Sequence, residues 1–395
     1  MTFTRAATRT LTSVLALPVL LSACSPAESA PAPATPSVAA TVPAAPAAPL
    51  VNPVPAAPVP TVCGDIASMS LREKLAQLLM VGVQNGSDAR AVVADHQVGG
   101  IFIGSWTDLS MLTDGSLQGI GAAAGPLALA VSVDEEGGRV QRLAPLIGSQ
   151  PSARVLAATH TPAEVRDIAF QRGQAMRGLG ITVDFAPVVD VTAAADDTGI
   201  GDRSFGSDPA VVTEYAGAYA QGLRDAGVLP VLKHFPGHGH GSGDTHTGAV
   251  VTPPLADLQG SDLVPYRTLT AQAPVAVMVG HMQVPGLSGG DPASLSPAVY
   301  NLLRGGGYGG APFGGLVFTD DLSSMAAINQ RYGVAAAVLR ALQAGADVAL
   351  WVTTAEVPAV LDRLEQAVNA GELAPQRVDD AVSKLAVAKG RNPHC

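Results

Sequence analysis

Aromatic side chains make up only 4% of this chain, and its formal net charge is −10. The first leaves little material for stacking bases, and the second leaves no basic footprint for a phosphate backbone. Together they argue against a nucleic-acid partner. No GxGxxG or P-loop sits between a strand and a helix and no segment repeats, so no cofactor is expected. Cysteine occurs three times, at Cys24, Cys63 and Cys395. The apolar run at residues 11–21 falls short of the ~20 residues that a membrane crossing needs.

What is present begins with an export signal. Arg5 and Arg9 supply a basic segment, residues 11–21 an apolar one, and Leu21-Ser22-Ala23-Cys24 resembles the lipobox of bacterial lipoproteins. Residues 1–23 are therefore expected to be removed as a signal peptide and Cys24 to be lipidated. An ordinary signal peptide with a chance cysteine is the alternative. A single acyl chain anchors only marginally, but lipoprotein cysteines carry more than one, so the expected location is the outer face of the cytoplasmic membrane. Residues 24–62 follow as a disordered tether: Ser25 to Val62 hold 11 prolines in 38 residues, many alanines and almost no charge. Extended, such a tether reaches about 120 Å at ~3.1 Å per residue, enough to hold a domain within range of a polymeric wall. Cys63 and Cys395 bracket the remainder. In an exported protein they could close a disulfide across the domain's two ends, and two free thiols are the other reading.

Across residues 63–395, short β-rich apolar runs alternate with helix-period segments. The runs lie at 79–83, 99–104, 127–133, 181–186, 228–232, 275–279, 315–319 and 347–351. Helical spacing appears between them, at 162–179, 209–226, 334–344 and 357–369. Eight strands, most followed by a helix, predict a single α/β domain folded as a (β/α)8 TIM-type barrel. A doubly wound open sheet is the runner-up.

In a barrel the C-terminal strand ends share one rim, where the chemistry sits. Asp134 follows the third run, Arg203 lies in the loop after the fourth, Lys233 and His234 close the fifth, His281 ends the sixth and Asp320 the seventh. These groups converge on an active site. In GLVFTDD, residues 315–321, one carboxylate is free to cap the turn that follows, a role that suits Asp321. Asp320, at the strand's end, could then attack an electrophilic sugar carbon. The stretch KHFPGHGHGSGDTH, residues 233–246, gathers four of the eight histidines on a glycine-rich loop. Imidazole titrates near neutrality, so His246 could serve as acid and then base, with Asp244 fixing its tautomer. A loop of solvated histidines accounts equally well for the spacing. A metal site from His234, His238, His240, His246 and Asp244 is a third reading. The loop lacks the rigid helical spacing that zinc sites favour, and no metal is expected.

KHFPGHG followed by DTH, with DEEGGRVQR, GDRSFG and FTDDLS, resembles the β-N-acetylglucosaminidases of glycoside hydrolase family 3. The likeness covers residues 134–325, with the blocks in the family's order. It implies a (β/α)8 barrel without the second domain that many members carry, and a retaining double displacement that releases terminal β-linked N-acetylglucosamine. It puts Asp320 in the nucleophile's place and Asp244 with His246 in that of an acid/base dyad. Asp134, Arg142, Arg203, Lys233 and His234 match residues that hold the sugar's hydroxyls. Arg139, Asp202 and Glu136 are expected to brace the loops, His238 to pack within its loop and His240 to be solvated. His281 reads as either a support for the site or a core residue. Three departures from the family pattern stand out: Glu135 where glutamine is common, Thr245 where serine is common, and an extra residue in Ser323-Ser324-Met325. An anchored enzyme of this kind would act on carbohydrate, most naturally peptidoglycan fragments. A phosphorylase is the variant within the class, and a metal-binding or catalytically inactive wall-associated lipoprotein the alternative outside it.

Overall fold

A computed structural model describes residues 66–393. The residues on which a signal peptide, a lipidated Cys24, a tether and a Cys63–Cys395 disulfide are expected all lie outside that range. Short aliphatic runs form strands β1 (Leu79–Val83), β2 (Gly100–Ile103), β3 (Ala130–Val133) and β4 (Val183–Asp184). They continue as β5 (Leu229–Phe235), β6 (Ala276–Val279), β7 (Val317–Thr319) and β8 (Ala349–Trp351). Strands β1 to β6 each pair in parallel with the next, and β8 pairs with β1 through Leu79↔Ala349, Met80↔Leu350 and Val81↔Trp351. A parallel bridge between Phe318 and Val348 joins β7 to β8. The sheet thus closes on itself, and the fold is the barrel rather than the open sheet. Most strands are shorter than the apolar runs that announced them, because the flanking apolar residues also pack in the core. Strand β5 is longer and runs on through Lys233, His234 and Phe235.

Strands buried on both faces read as unbroken apolar runs, yet their period of two still divides them. Met80, Phe102, Val231, Met278, Phe318 and Leu350 form one cluster, the filling of the barrel. Their neighbours Leu79, Ile101, Leu232, Val277, Val317 and Ala349 belong to the larger core beneath the helices. Following the inward line two residues further leads from Ser132 to Asp134, from Val231 to Lys233 and from Phe318 to Asp320. The polar residues at the mouth are the next step of the pattern that fills the barrel.

Two 17-residue helices, Pro162–Gly178 and Pro209–Asp225, cover β4 and β5. Thr161 and Glu164 form a capping box at the start of the first, and Asp208 caps the second ahead of a proline. They approach so closely that a side-chain carbon at Gly222 would overlap the Arg166 carbonyl.

At the opposite, N-terminal rim the fully buried Asp347 gathers Arg304 at 2.5 Å, Arg377 at 2.7 Å and Lys384 at 3.5 Å. It also accepts the Val317 N–H at 2.9 Å, which helps hold β7 to β8. Asp347→Ala would leave these cations facing an apolar floor. We expect it to cost about 3 kcal/mol in a denaturant titration, less than a sealed pair because both guanidiniums keep partial solvent contact. An unchanged midpoint would show that water replaces the carboxylate without loss.

Candidate active site

Lys233 is buried, and its ammonium lies 2.5 Å from Asp134 Oδ1 and 2.7 Å from Glu136 Oε1. Arg203 meets the same Glu136 carboxylate with two bonds of 2.8 Å. Burial alone would raise the Glu136 carboxyl, but Arg203 and Lys233 hold it far below the usual range. Burial would likewise lower the Lys233 ammonium, and Asp134 and Glu136 outweigh that and raise it. Glu136, Arg203 and Lys233 therefore stay charged. Glu136, expected in an ion-pair network that braces the loops, pairs with Arg203 of the loop after β4 and also with Lys233, two of the expected sugar-binding cations. Arg139 and Asp202 do brace: they pair at 2.8 Å, and Arg139 also donates to the carbonyls of Thr198 (2.5 Å) and Ile200 (3.0 Å).

A two-stranded hairpin, Glu135–Gly137 with Val140–Gln141, follows β3 and ends at Arg142, whose guanidinium lies 4.0 Å from Asp134 Oδ2. Glu135 sets that position. Its buried carboxylate pairs with Arg172 and accepts the backbone N–H groups of Arg142 at 2.7 Å and Leu143 at 2.9 Å. A second acidic residue beside Asp134 thus serves the loop from behind.

In β5 the register shifts between Leu232 and Phe235, and a shift of this kind re-aims neighbouring side chains. His234 Nδ1 lies 2.7 Å from Asp190 Oδ2, while Asp190 Oδ1 accepts the His238 N–H at 2.7 Å. The other ring nitrogen of His234, Nε2, is 3.4 Å from Arg203 Nη2. Burial would raise the Asp190 carboxyl, but His234 and His238 lower it, so the group is an anion clamped to a histidine. Asp190 is absent from the residues picked out in the sequence. The signal was there, since one carboxylate in the apolar stretch FAPVVDV must have a buried partner. Asp190→Ala is expected to cost about 2 kcal/mol in kcat/KM, roughly thirtyfold, by releasing His234. Steady-state kinetics check this, and a loss under threefold would make Asp190 a scaffold residue only.

Asp320 is buried, and its Oδ1 accepts the Asp321 N–H at 2.9 Å. His281 Nε2 donates to the Asp321 carbonyl at 2.7 Å, and its Nδ1 meets Ser294 Oγ at 2.7 Å. The backbone of Asp321 is therefore bonded at its N–H by Asp320 and at its carbonyl by His281, which gives His281 a supporting place. Burial would raise the Asp320 carboxyl; His281, His234, the Asp321 N–H and Lys233 outweigh it and hold the group below its usual range. The Asp321 side chain instead caps the next turn, accepting Ser323 N–H and Oγ–H at 2.8 Å each and Ser324 N–H at 3.1 Å.

Asp244 Oδ1 meets His246 Nδ1 at 2.7 Å and accepts the His246 N–H at 2.9 Å, on an exposed loop. Burial would raise the Asp244 carboxyl, and the bonds from His246 lower it. Between them Thr245 is buried: its carbonyl accepts the Ala327 N–H at 3.2 Å, and its hydroxyl lies 3.8 Å from Met325 Sδ. The dyad loop is thereby tied to the chain that follows Asp320. His238 is buried with its ring 5.9 Å from that of His234. His240 is exposed, as expected, and its Nδ1 also pairs at 2.7 Å with the buried Asp262, which accepts the Ser261 hydroxyl as well. The four imidazoles of the loop thus have four different surroundings. Among the described residues no group of three or more His, Cys, Asp or Glu is placed to hold a metal ion.

A closed parallel barrel with this charged mouth has a family. Residues 70–388 match the glycosyl hydrolase family 3 N-terminal domain, and the chain belongs to that family of glycoside hydrolases. It is 64% identical to Beta-hexosaminidase LpqI of Mycobacterium tuberculosis over 393 residues, 98% of each chain. It is also similar to a solved family 3 glycosyl hydrolase of Mycobacterium smegmatis, with TM-score 0.82 and 78% identity over 82% of this chain and 99% of that one. A family 3 β-N-acetylglucosaminidase of a Paenibacillus species superposes with TM-score 0.76 at 32% identity, over 82% of this chain and 62% of that one.

Proposed function

We propose that this chain is a retaining exo-β-N-acetylglucosaminidase that removes terminal β-linked N-acetylglucosamine from peptidoglycan fragments. The observation that carries the reading is the arrangement of the mouth. The Asp134–Lys233–Glu136–Arg203–His234 cluster begins on β3, and the ionised Asp320 ends β7, four strands away around the barrel. The 64% identity to a protein named a β-hexosaminidase supports the sugar specificity.

The cluster grips the terminal hydroxyls with charge-assisted bonds, and Arg142 adds a donor beside Asp134. Asp320 attacks the anomeric carbon as the bond to the leaving oxygen breaks. His246 gives that oxygen its proton from Nε2, since Nδ1 is committed to Asp244. The neutral imidazole then takes a proton from water, which attacks the glycosyl–Asp320 ester and frees Asp320. Two inversions leave a β-configured product. Lipidation of Cys24 and a tether at residues 24–62 would hold this domain at the outer face of the membrane, within reach of wall fragments.

The exposed acid/base favours a second reading. An imidazole repels phosphate less than a carboxylate would, so phosphate could stand in for water. Incubating the enzyme with purified muropeptides, with and without phosphate, tests both. Release of β-configured N-acetylglucosamine in either buffer supports the hydrolase. Sugar 1-phosphate supports the phosphorylase, and an α-configured first product would overturn the covalent mechanism.

A further inference from the structure

Trp106 has no part in the mechanism above, yet it is the exposed large aromatic side chain of the described residues, 45% accessible. The β2–β3 ladder pairs Phe102 with Ser132 and Ile103 with Val133. Carried one residue further, the register sets Gly104 beside Asp134, on strands about 4.8 Å apart. Phe102 and Ser132 point into the barrel, so Gly104 and Asp134 do as well. Gly104 has no side chain, and the indole of Trp106 fills that space: a carbon added at Gly104 would overlap the ring. The indole thus lies next to Asp134.

Its position is fixed from below. Trp106 rests against Phe102 at 6.0 Å between centroids, Phe102 against Phe185 at 5.8 Å, and Phe185 against Phe318 at 5.4 Å. This aromatic line crosses the barrel under the mouth and ends two residues before Asp320. The loop is pinned as well: Thr107 Oγ donates to the Val83 carbonyl at 2.6 Å and accepts the Gly104 N–H at 3.0 Å. The outcome is a rigid apolar wall, open on one side, against a cluster that otherwise offers only charge.

A glucose-type pyranose carries its hydroxyls around the rim and bare C–H bonds on its faces. Asp134, Lys233 and Arg203 serve the rim, and nothing in that cluster serves a face. We propose that Trp106 is the stacking wall for the terminal N-acetylglucosamine, an inference that rests on the function argued above. Asp134 directly follows β3 and Asp320 directly follows β7, four strands around the ring. Trp106 therefore contacts the hydroxyl end of the sugar, away from the bond being cut. A contact of that kind binds substrate and transition state alike, and raises affinity without raising kcat.

The chain has two tryptophans, and the other, Trp351, is fully buried. Trp351 contributes a constant background, so a ligand-induced change in emission reports on Trp106. Saturating N-acetylglucosamine is expected to shift wild-type emission to the blue and to leave Trp106→Phe unchanged. In Trp106→Ala, the inhibition constant of N-acetylglucosamine and the KM for the β-1,4-linked disaccharide should both rise about five- to tenfold with kcat held, and Trp106→Phe should recover most of the loss. Inhibition by the monosaccharide with no spectral shift and no change in Trp106→Ala would overturn the stacking wall alone. So would a KM effect confined to the disaccharide, which would place the indole at the leaving group. A wild-type enzyme neither inhibited by N-acetylglucosamine nor releasing it would take down the functional reading and this inference together.

Discussion

Asp320→Ala is expected to lose turnover by at least about 10⁴-fold, more than ~5 kcal/mol of transition-state stabilisation, on natural and activated substrates alike. Glu136 is as buried and as charged, but Arg203 and Lys233 occupy it, whereas the Asp320 carboxylate bonds no cation among the described residues. It accepts the N–H of Asp321, whose carbonyl His281 holds, and Lys233 and two imidazoles keep it ionised. The fold should survive, because Lys233 retains Asp134 and Glu136 as partners. Since the folded pKa lies below the unfolded value near 3.9, ionised Asp320 contributes stability above that pH and loses it as the pH falls through the folded value. The alanine variant should thus differ little from wild type in strong acid. For the same reason kcat/KM on an activated aryl glycoside should not fall through protonation of Asp320 until the pH drops below the ordinary carboxylate range. Azide supplied to the alanine variant should enter the vacated space and yield an α-configured glycosyl azide. Near-normal turnover, or a β-configured azide, would place the nucleophile elsewhere.

His246→Ala is expected to divide substrates by leaving group. For the β-1,4-linked disaccharide, whose leaving oxygen needs a proton, kcat/KM should drop about 10²–10⁴-fold. For a dinitrophenyl glycoside, kcat/KM should stay within about tenfold of wild type, because that phenolate departs unprotonated. The second step still lacks its base, so rapid mixing should show a burst of phenolate followed by slow steady release. Equal losses on both substrates, or no burst, would remove His246 from the acid/base role. The geometry makes the contrast a fair test. His246 is anchored through Asp244 and the buried Thr245, so losing its ring should leave the loop in place.

Much of this was legible in the sequence because it depends on local periodicity. Alternation along a strand says which residues face inward, and continuing it past the apolar filling puts Asp134, Lys233 and Asp320 at the mouth. What was not legible depends on partners distant along the chain. Asp190 meets His234 44 residues away, and Glu136 meets Arg203 67 residues away. Neither pairing exists until the barrel closes, so Glu136 read as a brace and Asp190 went unnoticed. His240 is exposed, as it read, but its bond to Asp262, 22 residues on, was not legible for the same reason.

The order of apolar runs and helix periods, with the blocks DEEGGRVQR, GDRSFG, KHFPGHG and FTDDLS, was enough to determine a family 3 barrel and the chemistry to seek at its rim. Those properties follow from local propensity and from residue type. Only the closed fold decided which charges neutralise one another, which carboxylate stays free and ionised, and that an indole fills the gap at Gly104. Each of these turns on desolvation and on separations of a few ångströms between distant segments, which no stretch of chain encodes by itself.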